Sequence, residues 1–191
     1  MADSGDRPET SRAFEAIGAR IIRGGGSRGL RLDRAARQAC GEILFFVHAD
    51  SRPPENAFEA IRGCLEAGAV AGGFSLAYEN ATPALEWIAW WANLRSRLLG
   101  LPFGDQGLFC RREAYERSGG YRDLAICDDV DIVRRLKCAG PFAVLPEKTV
   151  TSPRRYRENG AIRQVLRNWR VLLGYFAGVS SETLERWYNR R

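Results

Sequence analysis

At 191 residues, with apolar types making up 45% of the chain and charged types 27%, the sequence has the size and composition of one ordinary globular domain. Its net charge of +6 is one-sided: residues 1–150 carry 20 Lys/Arg and 20 Asp/Glu, whereas 151–191 carry nine arginines against Glu158, Glu182 and Glu185. The opening MADSGDRPETSR lacks the apolar core of a signal peptide, no apolar run approaches the roughly 18 residues that span a bilayer, and five scattered cysteines without a C-x-x-C spacing exclude a zinc motif and fit a reducing compartment, so a soluble cytoplasmic protein is expected.

In chain order, residues 8–19 read as a helix, 19–23 as a short strand, and GGGSRG (24–29) as a loop that opens a helix to about Cys40. Residues 42–47 (EILFFV) form a continuous apolar run, the pattern of a parallel strand covered on both faces. Pro53-Pro54 opens a helix in which Phe58, Ile61 and Leu65 recur at helical spacing, and 74–78 alternates as another strand. Thr82-Pro83 starts a long helix, 107–110 is a short strand, and 128–138 is a helix. Ile162, Leu166, Trp169, Leu173 and Phe176, with Val165 and Leu172, mark a further amphipathic helix. Trp169, Tyr175 and Phe176 share or border that stripe, so core packing is their expected use, which argues against nucleic-acid binding through exposed aromatics. The alternation implies an α/β fold with a mostly parallel central sheet and helices on both faces. Residues 1–191 are expected to form a single domain, with an α/β core (1–150) and a basic C-terminal helical part (151–191).

In such sheets ligands sit beyond the C-terminal ends of the strands. There the 42–47 strand runs into His48-Ala49-Asp50-Ser51. A hard divalent cation, Mg²⁺ or Mn²⁺, takes oxygen ligands and often just one or two carboxylates, a role Asp50 fits and His48 would assist. The same residues also read as a turn cap and a packed ring. Asp128, Asp129 and Asp131 open a helix, where the dipole favours negative charge. Asp129 falls on the stripe of Val133 and Leu136 and so faces inward; a carboxylate held at a helix mouth is what a general base requires. N-capping accounts for Asp128, and a surface pair with Arg135 for Asp131. Trp87, Trp90 and Trp91 crowd one helix with Arg95 and Arg97 after them, the pattern of peripheral contact with an anionic membrane or of a broad buried helix.

These pieces resemble a family 2 glycosyltransferase, in particular a small bacterial branch with a His-Ala-Asp motif. The likeness runs from about residue 20 through Arg28-Gly29, Gly41-Glu42, His48-Ala49-Asp50-Ser51, 92–97 (ANLRSR), 100–107 (GLPFGDQG), Arg111-Arg112, Gly119-Gly120-Tyr121, Cys127-Asp128-Asp129-Val130, Thr151-Ser152 and Arg154-Arg155. It implies the nucleotide-diphospho-sugar transferase (glycosyltransferase type A) fold, truncated at the N-terminus, because Met1-Ala2-Asp3 falls roughly where the family's second strand ends. It also implies a nucleotide-diphosphate sugar donor, an acceptor hydroxyl and inversion at the anomeric carbon. Asp50, with His48, would bind the metal; Asp129 would be the base, beside Asp128. Asp105, Gln106 and Gly107 would lie in the loop facing sugar and acceptor. Arg28, Arg154 and Arg155 would meet phosphate oxygens, although a solvated surface explains the Arg154-Arg155 pair equally, and Asp3 would contact the nucleotide base. The Gln and Asn that usually follow Arg-Gly are Arg31 and Asp33 here. A non-catalytic relative that binds an anionic ligand, a partner or a membrane surface is the alternative.

Overall fold

A computed structural model describes residues 2–3 and 8–189 of the chain. Two short strands, β1 (Ala2–Asp3) and β2 (Ile22–Arg23), pair in parallel on either side of helix α1 (Pro8–Ala16). Asp3 thus ends β1, and its side chain lies outside the described part. Helix α2 (Arg28–Gln38) follows, its N-terminus capped by the Ser27 hydroxyl, which accepts from the Leu30 N–H at 3.2 Å.

The main sheet contains β3 (Ile43–Phe46), β4 (Ser51–Arg52), β5 (Ala71–Tyr78), β6 (Leu108–Arg111) and β7 (Phe142–Thr151), in the order β3-β6-β5-β7-β4. Helices α3 (Ala57–Glu66) and α4 (Pro83–Leu99) flank β5, and α5 (Arg112–Arg117) and α6 (Asp128–Ala139) separate β6 from β7. Three more helices, α7 (Arg154–Asn159), α8 (Ala161–Phe176) and α9 (Ser181–Asn189), close the chain.

The α/β class holds, but the sheet is mixed rather than mostly parallel. The long β5–β7 ladder is parallel, whereas β6 runs against both β3 and β5, and β4 against β7. The 42–47 segment therefore forms an antiparallel edge strand, not a parallel one. Its uninterrupted apolar character still has the expected cause, burial on two faces. Leu44 and Phe46 join one core with Leu108 and Cys110, beneath α5 and α6, while Phe45 packs with Phe74 and Phe109 beneath α3.

Two local devices set the sheet's geometry. Pro146 and Glu147 are extra residues in β7, because Phe74 pairs with Leu145 and Ser75 with Lys148. A proline without an N–H is accommodated at such an irregularity. Beyond the end of β6, the backbone of Leu76 would be left unpaired on that edge. The Asn93 amide of α4 supplies the missing partners, accepting from the Leu76 N–H at 2.6 Å and donating to its carbonyl at 3.0 Å.

The last helices share the α5–α6 core: Val171, Leu172 and a fully buried Leu184 pack in the same cluster as Ile132 and Leu136. The outward face of α8 departs from expectation. Trp169 and Phe176 are exposed, as are Ile162, Leu166 and Leu173, so core packing does not describe that stripe. On α4 the tryptophans likewise stand in solvent, which removes the buried-helix reading.

Helix α2 can approach α6 because residue 29 has no side chain. A methyl on Gly29 would lie 2.5 Å from the Arg122 carbonyl oxygen and 3.2 Å from Asp128 Cβ. Gly29→Ala is expected to cost about 1–3 kcal/mol, as overpacking does, measurable by urea unfolding.

Candidate active site

The centre of the site is an ion pair between two helix N-termini. Arg28, the first residue of α2, grips Asp128, the first of α6, through Nε–Oδ2 at 2.9 Å and Nη2–Oδ1 at 2.6 Å. The carboxylate is 4% exposed and the guanidinium side chain 43%. Two-pronged geometry of this kind fixes direction as well as distance. Asp128 is therefore an ion-pair partner rather than a cap, since the N-cap position belongs to Cys127. Cys127 holds φ at +64°, a left-handed conformation that costs a residue with a side chain about 1 kcal/mol or more. Burial, with Asp129 and Asp128 adding to it, pushes the Cys127 thiol up to about 12, so it is no thiolate nucleophile at neutral pH.

Asp129 turns inward as its spacing implied, its side chain 17% exposed. Oδ2 accepts from the Gly104 N–H at 2.9 Å and lies 3.7 Å from Arg28 Nη2, while Oδ1 accepts from the Val130 N–H at 2.8 Å. Burial works to raise its pKa, but Arg28, the two N–H groups and His48 together outweigh it and hold the carboxyl below the ordinary value. Asp105 goes the other way. Burial, reinforced by Asp129, raises it against His48, Arg95 and Arg28, and its Oδ1 is shut off from solvent without a hydrogen-bond partner among the described residues.

His48 joins this group through one ring nitrogen. Its Nε2 lies 3.3 Å from Arg28 Nη1, and its ring packs against Gly104, where a methyl would come within 2.7 Å of Nε2. Asp50 is exposed and its carboxylate has no hydrogen bond or ion pair among the described residues. No three His, Cys, Asp or Glu side chains among those residues gather as a metal cluster. What fits Asp50 is a cation held by one carboxylate with substrate oxygens completing the shell. Its turn is tied to the same rim: the Asp50 carbonyl accepts from Ser152 N–H, and the Ser51 hydroxyl bonds Thr151 Oγ1 at 3.0 Å and the Asp105 carbonyl at 3.4 Å.

Gln106 is fully buried and serves the scaffold, not an open cleft. Its Oε1 accepts from Phe103 N–H and Ser96 Oγ, each at 3.0 Å, and its Nε2 donates to the Phe74 carbonyl at 2.9 Å. Those bonds shape the 3-10 turn Gly104–Gln106 that presents the Gly104 N–H. Gly107 follows at φ +67°, packed against Phe45, Phe74 and Thr149. Arg154 and Arg155 stay outside the cluster: Arg154 makes a loose 3.9 Å pair with Glu158, and Arg155 bonds the Tyr188 hydroxyl at 3.1 Å. Asp131 is buried, not on an outer face; with Arg135 it clamps the turn before α6, since Arg135 also donates to the Ser118 and Gly120 carbonyls.

One residue of the site was read from sequence only as a cation beside the α4 tryptophans, facing a membrane. Arg95 of α4 stacks over the Phe103 ring at 3.7 Å and is half-buried, with Nε and Nη2 lacking partners among the described residues. Burial lowers its pKa, with Asp105 and Asp129 opposing. The one signal for a place in the site was its position inside the ANLRSR segment.

This arrangement sits in the nucleotide-diphospho-sugar transferase, or glycosyltransferase type A, fold, as comparison with solved structures shows. The mannosyltransferase PcManGT from Pyrobaculum calidifontis, in complex with GDP-Man and Mn²⁺, superposes with a TM-score of 0.64 at 18% identity, over 92% of this chain and 52% of that one. TarS 1-349 of S. aureus, in complex with UDP-GlcNAc, gives 0.61 at 14% identity, over 78% and 48%. Glucosyl-3-phosphoglycerate synthase from Mycobacterium tuberculosis, in complex with phosphoglyceric acid, gives 0.55 at 21% identity, over 86% and 65%. The chain thus spans roughly half to two thirds of these proteins. No protein-family model and no curated protein matches it.

Removing Arg28 would leave Asp128 buried without its cation. Breaking such a pair costs about 3–5 kcal/mol when both partners are dry, and the partial exposure of Arg28 reduces that here to about 2–3 kcal/mol for Arg28→Ala by urea unfolding. The two oppositely shifted acids give opposite pH responses. Asp129, held low, adds stability that is present above about pH 4 and lost as pH falls through its folded value; Asp105, held high, withdraws stability as pH rises above about 4. Below about pH 4 the Tm deficit of Asp129→Asn relative to the parent should shrink, and above about pH 4 the Tm advantage of Asp105→Asn should grow.

Proposed function

We propose that this chain is a metal-assisted, inverting glycosyltransferase of the family 2 type, moving a sugar from a nucleotide-diphosphate donor to an acceptor hydroxyl. The observation that carries this reading is Asp129: an ionised, inward carboxylate, fixed by two N–H groups at the rim of a glycosyltransferase type A fold. Of the solved structures named above, TarS holds UDP-GlcNAc and PcManGT holds GDP-Man with Mn²⁺.

In this mechanism Asp129 accepts the acceptor's hydroxyl proton as that oxygen attacks the anomeric carbon. The bond to the donor's diphosphate breaks on the opposite face, and the configuration inverts. Each Asp129 oxygen accepts one N–H bond and keeps a lone pair for the proton. Because its pKa is depressed, the base is ready throughout the neutral range, and the acid limb of the rate profile should lie below the ordinary carboxylate range. Arg28 acts by positioning Asp128 and Asp129 rather than by gripping phosphate. Asp50 is the residue that would hold Mg²⁺ or Mn²⁺, with donor phosphate oxygens as further ligands; the cation supplies charge neutralisation for the departing diphosphate. Asp105 and Arg95, with buried polar atoms unpaired, are suited to hydroxyls of the sugar or acceptor.

A purely structural network would also hold Asp128 and Asp129 in this way, which keeps the non-catalytic alternative in view. The two part on ligand binding. UDP or GDP should raise the Tm only with Mn²⁺ or Mg²⁺ present. Asp50→Ala should lose that shift, while Asp129→Asn should keep it and lower transfer by roughly 10²–10⁴-fold. Full transfer by Asp129→Asn would end the base assignment, and no shift with either nucleotide would favour the non-catalytic reading.

A further inference from the structure

Helix α8 carries its apolar stripe on the wrong side for a buried helix. Ile162, Leu166, Trp169, Leu173 and Phe176 recur at three- and four-residue steps, so they share one face. That face is open: Ile162 is 78% exposed, Leu166 65% and Leu173 62%. The opposite face, with Gln164, Val171 and Gly174, is the one packed into the protein. Contiguous apolar surface of this kind marks an interaction site.

Charge identifies the occupant. Residues 161–176 contain Arg163, Arg167 and Arg170 and no acidic residue, and at helical spacing the three arginines line one flank of the stripe. There is a second exposed apolar patch. On α4, Trp87, Trp91 and Leu98 fall on one exposed line beside Trp90. Helix α6 bridges the ends of the two helices: Lys137 Nζ donates to the Leu99 carbonyl at the end of α4, and Arg134 stacks 5.4 Å from the Phe176 ring at the end of α8. Lys137 and Arg134 are both exposed, so cations fill the seam.

We propose that the outer faces of α8 and α4 form one docking surface for an anionic lipid bilayer. Aliphatic and tryptophan side chains enter the headgroup–acyl boundary, and the arginine flank with the Arg134–Lys137 seam meets lipid phosphates. No helix among the described residues is long and apolar enough to cross a membrane, so the contact lies in the interface plane. A second copy of the chain is the weaker occupant, because α8 offers it no acid to meet those arginines. A single-stranded nucleic acid is weaker too, since Ile162, Leu166 and Leu173 are not stacking surfaces.

Flotation of the purified full chain with vesicles tests this. Vesicles of phosphatidylcholine mixed with phosphatidylglycerol should carry the protein up at low salt, and phosphatidylcholine alone should bind roughly tenfold more weakly. The Leu166→Glu/Leu173→Glu double variant changes two exposed positions, so it should keep the parent Tm and lose flotation. Asp129→Asn should float like the parent, which separates this surface from the catalytic reading. Absence of flotation with the mixed vesicles overturns the proposal, whether sedimentation equilibrium then shows the stripe closed in a dimer or an oligonucleotide takes it. Undiminished flotation of the double variant overturns it as well.

Discussion

The bidentate contact between Arg28 and Asp128 is the constraint from which the rest of the site follows. It joins the N-termini of α2 and α6, two helix ends whose dipoles repel each other but each favour a negative charge. One carboxylate placed between them, met by a guanidinium, offsets both. The contact requires a glycine at 29, because any side chain there would strike the Arg122 carbonyl, and it requires α6 to begin abruptly. The left-handed backbone of Cys127 provides that start. Once Asp128 is fixed, the next residue has little freedom, and its carboxylate arrives at the Gly104 N–H.

The result is a small volume in which like charges are kept apart by unequal treatment. Asp129 receives the guanidinium and two N–H groups; Asp105, a neighbour in the same field, is left with a buried oxygen unpaired. Environments that drive two acids in opposite directions are a common route to assigning one of them a proton-transfer role. Arg95, packed on Phe103 with two nitrogens unpaired, adds a second cation whose bonding capacity is unspent.

Much of this was legible in the sequence. Helical spacing pointed Asp129 inward, and the apolar run before His48 marked a strand opening on the site. Local pattern failed where a residue's partner lay far along the chain. Asp128 looked like a cap because capping is local, whereas Arg28 is a hundred residues away. Asp131 does pair with Arg135 as its spacing implied, but local pattern could not show that its carboxylate is buried, with Tyr175 of α8 reaching the same group. Gln106 looked available because nothing nearby in sequence predicts Ser96, Phe103 and Phe74 converging on one amide. Strand β7 was hidden by Pro146 and Glu147, which break its alternation where the ladder slips. On α8, periodicity announced an apolar face without saying whether that face turned in or out.

The amide of Gln106 also has a mechanical meaning. Through Ser96 it bolts α4 to the turn that carries the Gly104 N–H, and Asn93 one turn earlier fastens the same helix to the central strand. Hydrogen bonds yield by only a few tenths of an ångström before they weaken steeply. Helix α4, whose outer side carries the tryptophans, is thus hydrogen-bonded both to the central strand and to the turn beside Asp129.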